Sequence, residues 1–104
     1  MEKNEKIIFR EKAKCSIRDI AFYIEQKGYP ETAEKFTEKL VNFGNSLAGF
    51  PDAYPVCKQL QFFRRNMRCA VFHRNYIFVY KVVNNILIIY NVIHCNTNPV
   101  FHST

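Results

Sequence analysis

Basic and imidazole side chains in the second half of this 104-residue chain have the chemistry to act on a phosphate. His73 and His94 each close an apolar run, and an imidazole titrates near neutral pH as a general acid or base. Arg68 and Arg74 flank the first of these runs and carry charge that would stabilise a developing anion. We therefore predict Arg68, Arg74 and His94 as candidate catalytic residues. The structural alternative is that the histidines hold hydrogen bonds and that Arg68 is a surface cation that pairs with carboxylates of the helices.

A second candidate site is the sequence Phe62-Phe63-Arg64-Arg65, which places two rings beside two guanidinium groups in an otherwise aperiodic stretch. A surface loop does not readily bury four such side chains. We predict that Phe62, Phe63, Arg64 and Arg65 bind a partner. The alternative is that one of the two phenylalanines fills the core.

Three tyrosines are candidates for stacking on nucleic-acid bases, because aromatic rings beside cations do this in single-strand sites. Tyr76 and Tyr80 share the parity of Phe78 along one strand, and this favours core packing for both. Tyr90 lies in a separate apolar run.

Charge is unevenly divided along the chain. All nine Asp and Glu residues lie at or before Asp52, where nine Lys and Arg residues balance them, so the formal net charge of +6 belongs entirely to the second half. We expect an anionic partner, although a small basic protein also gains solubility from such charge. The unopposed cations are Lys58, Arg64, Arg65, Arg68, Arg74 and Lys81.

The composition predicts one folded domain over residues 1–104, with 48% hydrophobic residues and an aromatic content of 15%. No apolar run reaches the roughly 18 residues that span a bilayer, and the amino terminus lacks a signal-peptide pattern, so we expect a cytoplasmic protein. Cys15, Cys57, Cys69 and Cys95 are scattered singly. We therefore predict reduced, buried thiols, with no disulfide framework, metal site or cofactor.

Helical periodicity occurs in two adjacent stretches. Apolar residues recur in steps of three and four from about Ala13, and Gly28 is placed to end that helix. A capping-box pattern at residues 16–19 leaves the start open by one turn. Pro30 opens a second helix whose apolar seam runs to near Gly49. A short connection between them predicts an antiparallel helix hairpin.

The remaining periodic stretches predict strands. Asn84-Asn85 suits a two-residue hairpin turn, since asparagine tolerates positive φ. Residues 86–93 are apolar on nearly both faces, which places them inside the sheet with helices on one side. The result is an α+β fold of order β-α-α-β-β-β, with a small, mostly antiparallel sheet backed by the helix hairpin. The predicted strands are residues 6–10, 68–72, 76–82 and 86–93, and the predicted loop is residues 52–66.

Several short motifs, taken in order and spacing, resemble those of a known family. They are Ile17-Arg18-Asp19-Ile20, Tyr23-Ile24, Pro30-Glu31-Thr32-Ala33, Leu47-Ala48-Gly49-Phe50-Pro51, Arg68, residues 75–80, Val92-Ile93-His94 and Asn98-Pro99. Over about residues 6–99 the chain thereby resembles the RelE/ParE toxin superfamily. Members are the toxin halves of bacterial type II toxin–antitoxin pairs, often labelled plasmid stabilisation proteins. The resemblance implies the β-α-α-β-β-β fold predicted above.

The resemblance implies one of two activities. RelE-like members cut messenger RNA in the ribosome with basic and tyrosine residues on the concave sheet, whereas ParE-like members poison DNA gyrase without a known catalytic centre. Ile77 and Thr97 stand where the nuclease pattern has arginines, and the ending Val92-Ile93-His94 resembles the ParE-like branch. We expect a ParE-like inhibitor of DNA gyrase, more a binding protein than an enzyme.

The resemblance also implies a partner. A cognate acidic antitoxin would neutralise this toxin by folding onto it, and residues 62–65 are the surface we assign to it. Two alternatives remain open at this point. One is a RelE-like endoribonuclease that acts on ribosome-bound messenger RNA through Arg68, His73, Arg74 or His94. The other is a non-toxic descendant that keeps only the antitoxin contact.

Overall fold

Two helices cover one face of a four-stranded sheet in the computed structural model of the protein, which describes residues 6–58 and 60–94. The predicted β-α-α-β-β-β order and α+β class are confirmed. Cys95, Thr97 and Asn98-Pro99 lie outside the described residues. The elements are β1 (Lys6–Phe9), α1 (Glu11–Gln26), α2 (Pro30–Ser46), a 3-10 turn (Leu47–Gly49), a helical turn (Leu60–Phe63), β2 (Arg68–Phe72), β3 (Tyr76–Val83) and β4 (Ile86–His94).

Strand β4 lies inside the sheet, whose order is β1-β4-β3-β2. It pairs parallel with β1 and antiparallel with β3, so its backbone is hydrogen-bonded on both edges, as its two-sided apolar sequence predicts. The predicted turn between β3 and β4 is confirmed, because Asn84 and Asn85 have φ values of 53° and 67°. Two positive φ values give the turn the twist that matches a hairpin.

A β-bulge interrupts the pairing of β3 with β4. Val79 is opposite Asn91 and Tyr80 is opposite Ile89, so Tyr90 is the extra residue. Ile89 and Val92 are three positions apart yet both pack toward the helices. In an unbroken strand, period-two alternation would place them on opposite faces. The bulge resets this alternation and leaves Tyr90 on the face away from the helices, with Val79 and Ile93.

The two helices begin at Glu11 and Pro30, and neither N-cap residue makes a side-chain capping hydrogen bond. Helix α1 starts at Glu11, with Arg10 as its N-cap residue, so the capping-box start at residues 16–19 is wrong. Ser16 lies instead inside the helix and donates a hydrogen bond of 2.7 Å to Asn91 Oδ1 on β4. Pro30 occupies the first turn of α2 as predicted. Gly28 lies in the short connection after α1 and has a φ of 93°, a conformation that favours glycine.

The buried layer forms between the helix hairpin and the sheet. Helix α2 approaches the sheet at Gly44, where a Cβ atom would lie 2.7 Å from the Phe9 ring and 2.9 Å from Ile89. Only a glycine permits this separation. Tyr80 is fully buried in the same layer and donates a hydrogen bond of 2.6 Å to the Pro51 carbonyl. Burial raises the pKa of Tyr80 to about 12. The fully or nearly fully buried residues of this layer include Ala13, Ile17, Ile20, Leu40, Leu47, Ala70, Phe78, Leu87, Ile89 and Val92.

The prediction of reduced, buried thiols is wrong for three of the cysteines. Cys57 and Cys69 form a disulfide, and Cys15 is exposed on α1. The segment before β2 folds back beside it, with an antiparallel bridge between Val56 and Arg68, and brings the Cys57 and Cys69 Cα atoms to 5.0 Å. That separation is within the range a disulfide requires. The two cysteines are 12 positions apart, and the sequence between them has no pattern that predicts that the chain folds back on itself.

We predict that replacing both Cys57 and Cys69 with Ala will lower the free energy of unfolding by about 3 kcal/mol relative to the oxidised protein. A cross-link over a loop of this size restricts the unfolded chain by roughly that amount. Urea unfolding followed by circular dichroism measures the change. The control is Cys15→Ser, which alters an exposed thiol and leaves the urea midpoint in place. An unchanged midpoint in the double variant would show that the cross-link adds nothing to the folded state.

Candidate partner-binding face of the sheet

The two faces of the sheet carry different chemistry. Helices α1 and α2 cover one face, and every Asp and Glu of the described helices and strands lies on these two helices. The groove between them is lined by Glu25, Glu34 and Glu38. We call the opposite side the open face. It is acid-free within the described strands, so the balanced charge of the first half lies behind the sheet and does not cancel the cations in front of it. The residues that define the open face are Ile8, Val71, Ile77, Tyr90 and Ile93.

The segment that carries residues 62–65 covers one part of the open face. Phe62 packs against the buried cluster of Cys57, Met67 and Val79. Phe63 points outward and is 58% exposed. The alternative that one of the two phenylalanines fills the core therefore holds for Phe62, which packs into this smaller buried cluster. Phe63 remains available to a partner, together with the exposed side chains of Arg64 and Arg65.

The backbone of this segment is held in a compact turn. The Met67 N–H donates to the Phe62 carbonyl at 3.0 Å, and the Cys57 N–H donates to the Met67 carbonyl at 2.8 Å. Asn66 has φ of 60°, a left-handed conformation that asparagine tolerates better than most residues. These bonds and the disulfide fix the position from which the outward side chains project, so a partner would meet a largely pre-formed surface.

Tyr90 lies between two cations on the open face. The guanidinium carbon of Arg10 is 5.4 Å from the centroid of the Tyr90 ring, and that of Arg65 is 5.7 Å from it. Both distances fall within the range of a cation–π attraction. The sequence identified Tyr90 as a candidate for base stacking, and no pattern in it pointed to Arg10. The signal was hidden because Arg10 reaches Tyr90 through the parallel pairing of β1 with β4, which joins residues about 80 positions apart.

The predicted catalytic residues do not converge on one point. Arg68 is opposite Tyr80 in the β2–β3 pairing, whereas His94 is opposite Tyr76 in the β3–β4 pairing. Four positions along β3 correspond to about 13 Å at the rise of a β-strand. Arg74 lies in the turn after β2, near the His94 end of the sheet. Arg68 therefore lies at one end of the sheet, and Arg74 and His94 lie near the other.

Arg68 has a structural position. Its guanidinium group donates to the Tyr54 carbonyl and lies 3.5 Å from the Asp52 carboxylate. These contacts tie the segment after α2 to the start of β2. The carboxylate partner foreseen as the structural alternative is thus present, although it comes from the loop and not from a helix. Because Asp52 is 89% exposed, the ion pair itself contributes less than about 1 kcal/mol.

The turn after β2 holds the other two basic candidates. His73 and Arg74 both have positive φ values, 53° and 66°, and both side chains are exposed. The His73 ring lies 5.7 Å from the Phe36 ring on α2 and 4.3 Å from the Phe72 ring. Parity along β2 does not extend to Arg74, because the strand ends at Phe72. The alternation that would place Arg74 on the same side as Arg68 therefore does not apply.

His94 lies in an aromatic cluster at the end of β4. Its ring stacks on Tyr76 at 4.5 Å and meets the edge of Tyr23 at 6.1 Å. Burial lowers the pKa of His94 from its ordinary value of 6.5 and raises the pKa of Tyr76. His94 also lines a cleft of about 300 Å³ with Ser16, Asp19 and Tyr23. A neutral imidazole here can accept a proton, but neither Arg68 nor Arg74 lines the cleft.

Tyr76 and Tyr80 lie on the same face, as their shared parity predicts, and the bulge sets the position of Tyr90. Tyr80 and Tyr76 pack with the buried layer on the helix side, and Tyr90 lies on the open face. Arg10 and Arg65 are both within cation–π distance of the Tyr90 ring. Within residues 6–58 and 60–94, no group of three or more His, Cys, Asp and Glu side chains is arranged to hold a metal ion. No helix in that part of the chain is long and apolar enough to cross a membrane.

Comparisons with known proteins agree on one family and fold. Residues 7–99 match the family described as the ParE toxin of the type II toxin–antitoxin system parDE. A solved chain of the chromosomal ParDE toxin–antitoxin system from P. aeruginosa superposes with a TM-score of 0.74 at 15% sequence identity. The match covers 86% of this chain and 95% of that chain. At this identity the structural likeness concerns the fold alone. No curated protein matches the chain in sequence.

We predict that the free energy of unfolding will increase as pH rises toward and past 6.5, the ordinary pKa of histidine. The fold keeps His94 neutral, so the unfolded chain binds the proton more tightly, and acid favours unfolding between the lowered pKa and the ordinary one. Urea unfolding from about pH 5 to about pH 8 should show this rise, and His94→Gln should reduce it. The control is His73→Gln, which removes an exposed imidazole at the same end of the sheet. An NMR titration that gives His94 a pKa at or above 6.5 would contradict the prediction.

Proposed function

Because the chain belongs to the ParE toxin family of type II toxin–antitoxin systems, we propose that it poisons DNA gyrase by binding it and that an acidic antitoxin neutralises it. The chain is thus a toxin of the type II class, with an antitoxin as its partner. The target and the mode of neutralisation are the proposal. We also propose that it acts in the cytoplasm, where gyrase is found. Cys57 is 1% exposed, and this limits the access of cellular reductants to the disulfide there.

The observation that carries the proposal of action by binding is the distance of Arg68 from Arg74 and His94, which lie at the other end of the sheet. Cleavage of RNA requires donors that meet at one scissile phosphate, and each well-placed donor lowers the barrier by roughly 3 kcal/mol. Arg68 is engaged with Tyr54 and Asp52 at one end of the sheet, while His94 lies at the other. Ile77, which stands where the nuclease pattern has an arginine, packs half-buried on the open face.

The charge distribution supports an acidic partner. Carboxylates of the described helices and strands lie on α1 and α2, and Arg10, Arg64 and Arg65 lie exposed on the other side of the sheet. Positive potential on one face steers an acidic chain to that face, and the balanced charge of the helix side does not compete with it. Exposed Phe63 adds an apolar anchor beside these charges. Such anchors offset the ordering cost of a segment that folds on binding.

We expect expression of this chain alone to slow bacterial growth, and co-expression of its cognate antitoxin to restore growth. Arrest should show induction of the DNA-damage response, and the purified protein should trap gyrase in a cleavage complex on plasmid DNA. Transcripts mapped at nucleotide resolution provide the discriminating control. Codon-positioned cuts that vanish in Arg74→Ala or His94→Gln would replace gyrase poisoning with ribosome-dependent cleavage. Normal growth at a confirmed level of folded protein would instead favour a descendant that keeps only the antitoxin contact.

The double substitution Phe63→Ala with Arg65→Ala should weaken antitoxin binding by at least about 2 kcal/mol, or roughly 30-fold in Kd, if these side chains are hot spots. The fold should survive, because Phe63 is exposed, whereas the neighbouring Phe62 is the ring that packs into the core. Calorimetry with the cognate antitoxin measures the affinity, and thermal unfolding measures the stability. A matched control is Tyr29→Ala with Lys27→Ala, which removes an aromatic ring of similar exposure and one cation from the tip of the helix hairpin. Equal affinities of the two double variants would remove residues 63 and 65 from the partner surface.

A further inference from the structure

Three distant parts of the chain meet at Tyr90. Arg10 follows β1, Tyr90 is the bulge residue of β4, and Arg65 belongs to the segment before β2. Each is fixed through its backbone. The Arg10 N–H donates to the Ile89 carbonyl at 3.0 Å, and the Arg65 N–H donates to the Phe62 carbonyl at 3.1 Å. The two guanidinium groups thus project from fixed backbone positions and both contact the same ring, which reduces the ordering cost of binding.

The two arginines keep their hydrogen-bonding capacity. Contact with an aromatic ring uses the planar face of a guanidinium group and leaves its N–H donors for a carboxylate. Both side chains are exposed. Within the described residues, ion pairs join Arg18 to Glu11 and Arg68 to Asp52, and these pairs include neither Arg10 nor Arg65. The cluster therefore offers two oriented cations to an anion on the open face.

We infer that Arg10, Tyr90 and Arg65 form a carboxylate-binding site that anchors an acidic segment of the antitoxin on the open face. This inference rests on the proposed neutralisation by an acidic antitoxin. It extends the partner surface from residues 62–65 across β4 to β1. A bidentate arginine–carboxylate contact is among the stronger charge-assisted hydrogen bonds, and the tyrosine ring holds each arginine in position to form one.

The surroundings of the cluster favour a protein segment over a nucleic acid. The adjacent open face is apolar, with Ile8 36% exposed, Val71 55% exposed, and Ile77 and Ile93 half-buried. A nucleic-acid backbone requires cations along its whole path. An extended peptide whose acidic and apolar side chains alternate can place carboxylates near the arginines and leave its apolar groups for the neighbouring isoleucines and valine.

The test uses the full chain and a synthetic octapeptide of alternating Glu and Leu with blocked ends. Calorimetry should detect binding of this peptide to the unaltered protein. The matching peptide of Gln and Leu should bind at least about five-fold more weakly, because hydrogen bonds to a charged carboxylate are stronger than those to a neutral amide. Arg10→Gln and Arg65→Gln should each raise the Kd for the Glu peptide by a similar factor. Lys39→Gln removes the same charge from the exposed side of α2 and should leave the Kd unchanged. Arg10→Lys keeps the charge without the planar fork and should recover part of the affinity, so the test survives if Arg10→Gln fails to fold.

Two results would overturn the inference. One is equal affinity for the Glu and Gln peptides, or an unchanged Kd in Arg10→Gln. The other is tighter binding of an eight-nucleotide uridine oligomer that the same variants abolish, which would assign the cluster to nucleic acid. The peptide assay contains no antitoxin, so its failure is separate from that of the proposed function. If the antitoxin rescues the growth of cells that express Arg10→Gln as fully as it rescues cells that express the unaltered chain, neutralisation is retained and the site is rejected.

Discussion

The double pairing of β4 is the constraint on which the rest of the structure depends. This strand is bonded to β1 on one edge and to β3 on the other, and its sequence presents apolar side chains to both faces of the sheet. Each face is then completed by a different part of the chain. The helix hairpin closes one, and the segment cross-linked by Cys57 and Cys69 closes part of the other. The protein consequently has two cores of unequal size.

The bulge at Tyr90 links this architecture to the proposed carboxylate-binding site. It allows Ile89 and Val92 to serve the same core although they are three residues apart, and the residue left over is turned to the open face. Bulges commonly re-aim a side chain in this way. The polar contact of Ser16 with Asn91 anchors α1 to the strand beside the bulge. The bulge thus places the Tyr90 ring on the open face, where Arg10 and Arg65 contact it.

Separation of charge by the sheet gives the molecule its polarity. Acidic residues accompany the helical periodicity of the first half, and the cations of the second half accompany strands and their loops. Because the helices pack on one side, the division along the sequence becomes a division in space. The open face therefore attracts an acidic partner, whereas the balanced charge of the helix face gives it no comparable attraction. Arg68 is a partial exception, since its carboxylate partner Asp52 ends the acidic half.

The sequence by itself determined the element order, the strand bounds of β2, the Asn84-Asn85 turn and the interior position of β4, because periodicity and turn chemistry are local properties. It also predicted that Tyr80 would be buried. It could not show that Phe62 enters a core while Phe63 does not, since both lie in an aperiodic segment. The disulfide, the end-to-end separation of Arg68 from His94 and the meeting of Arg10 with Tyr90 were decided by the tertiary structure. Each depends on the pairing or return of segments that are separated in sequence, and side-chain periodicity contains no information about which segments pair.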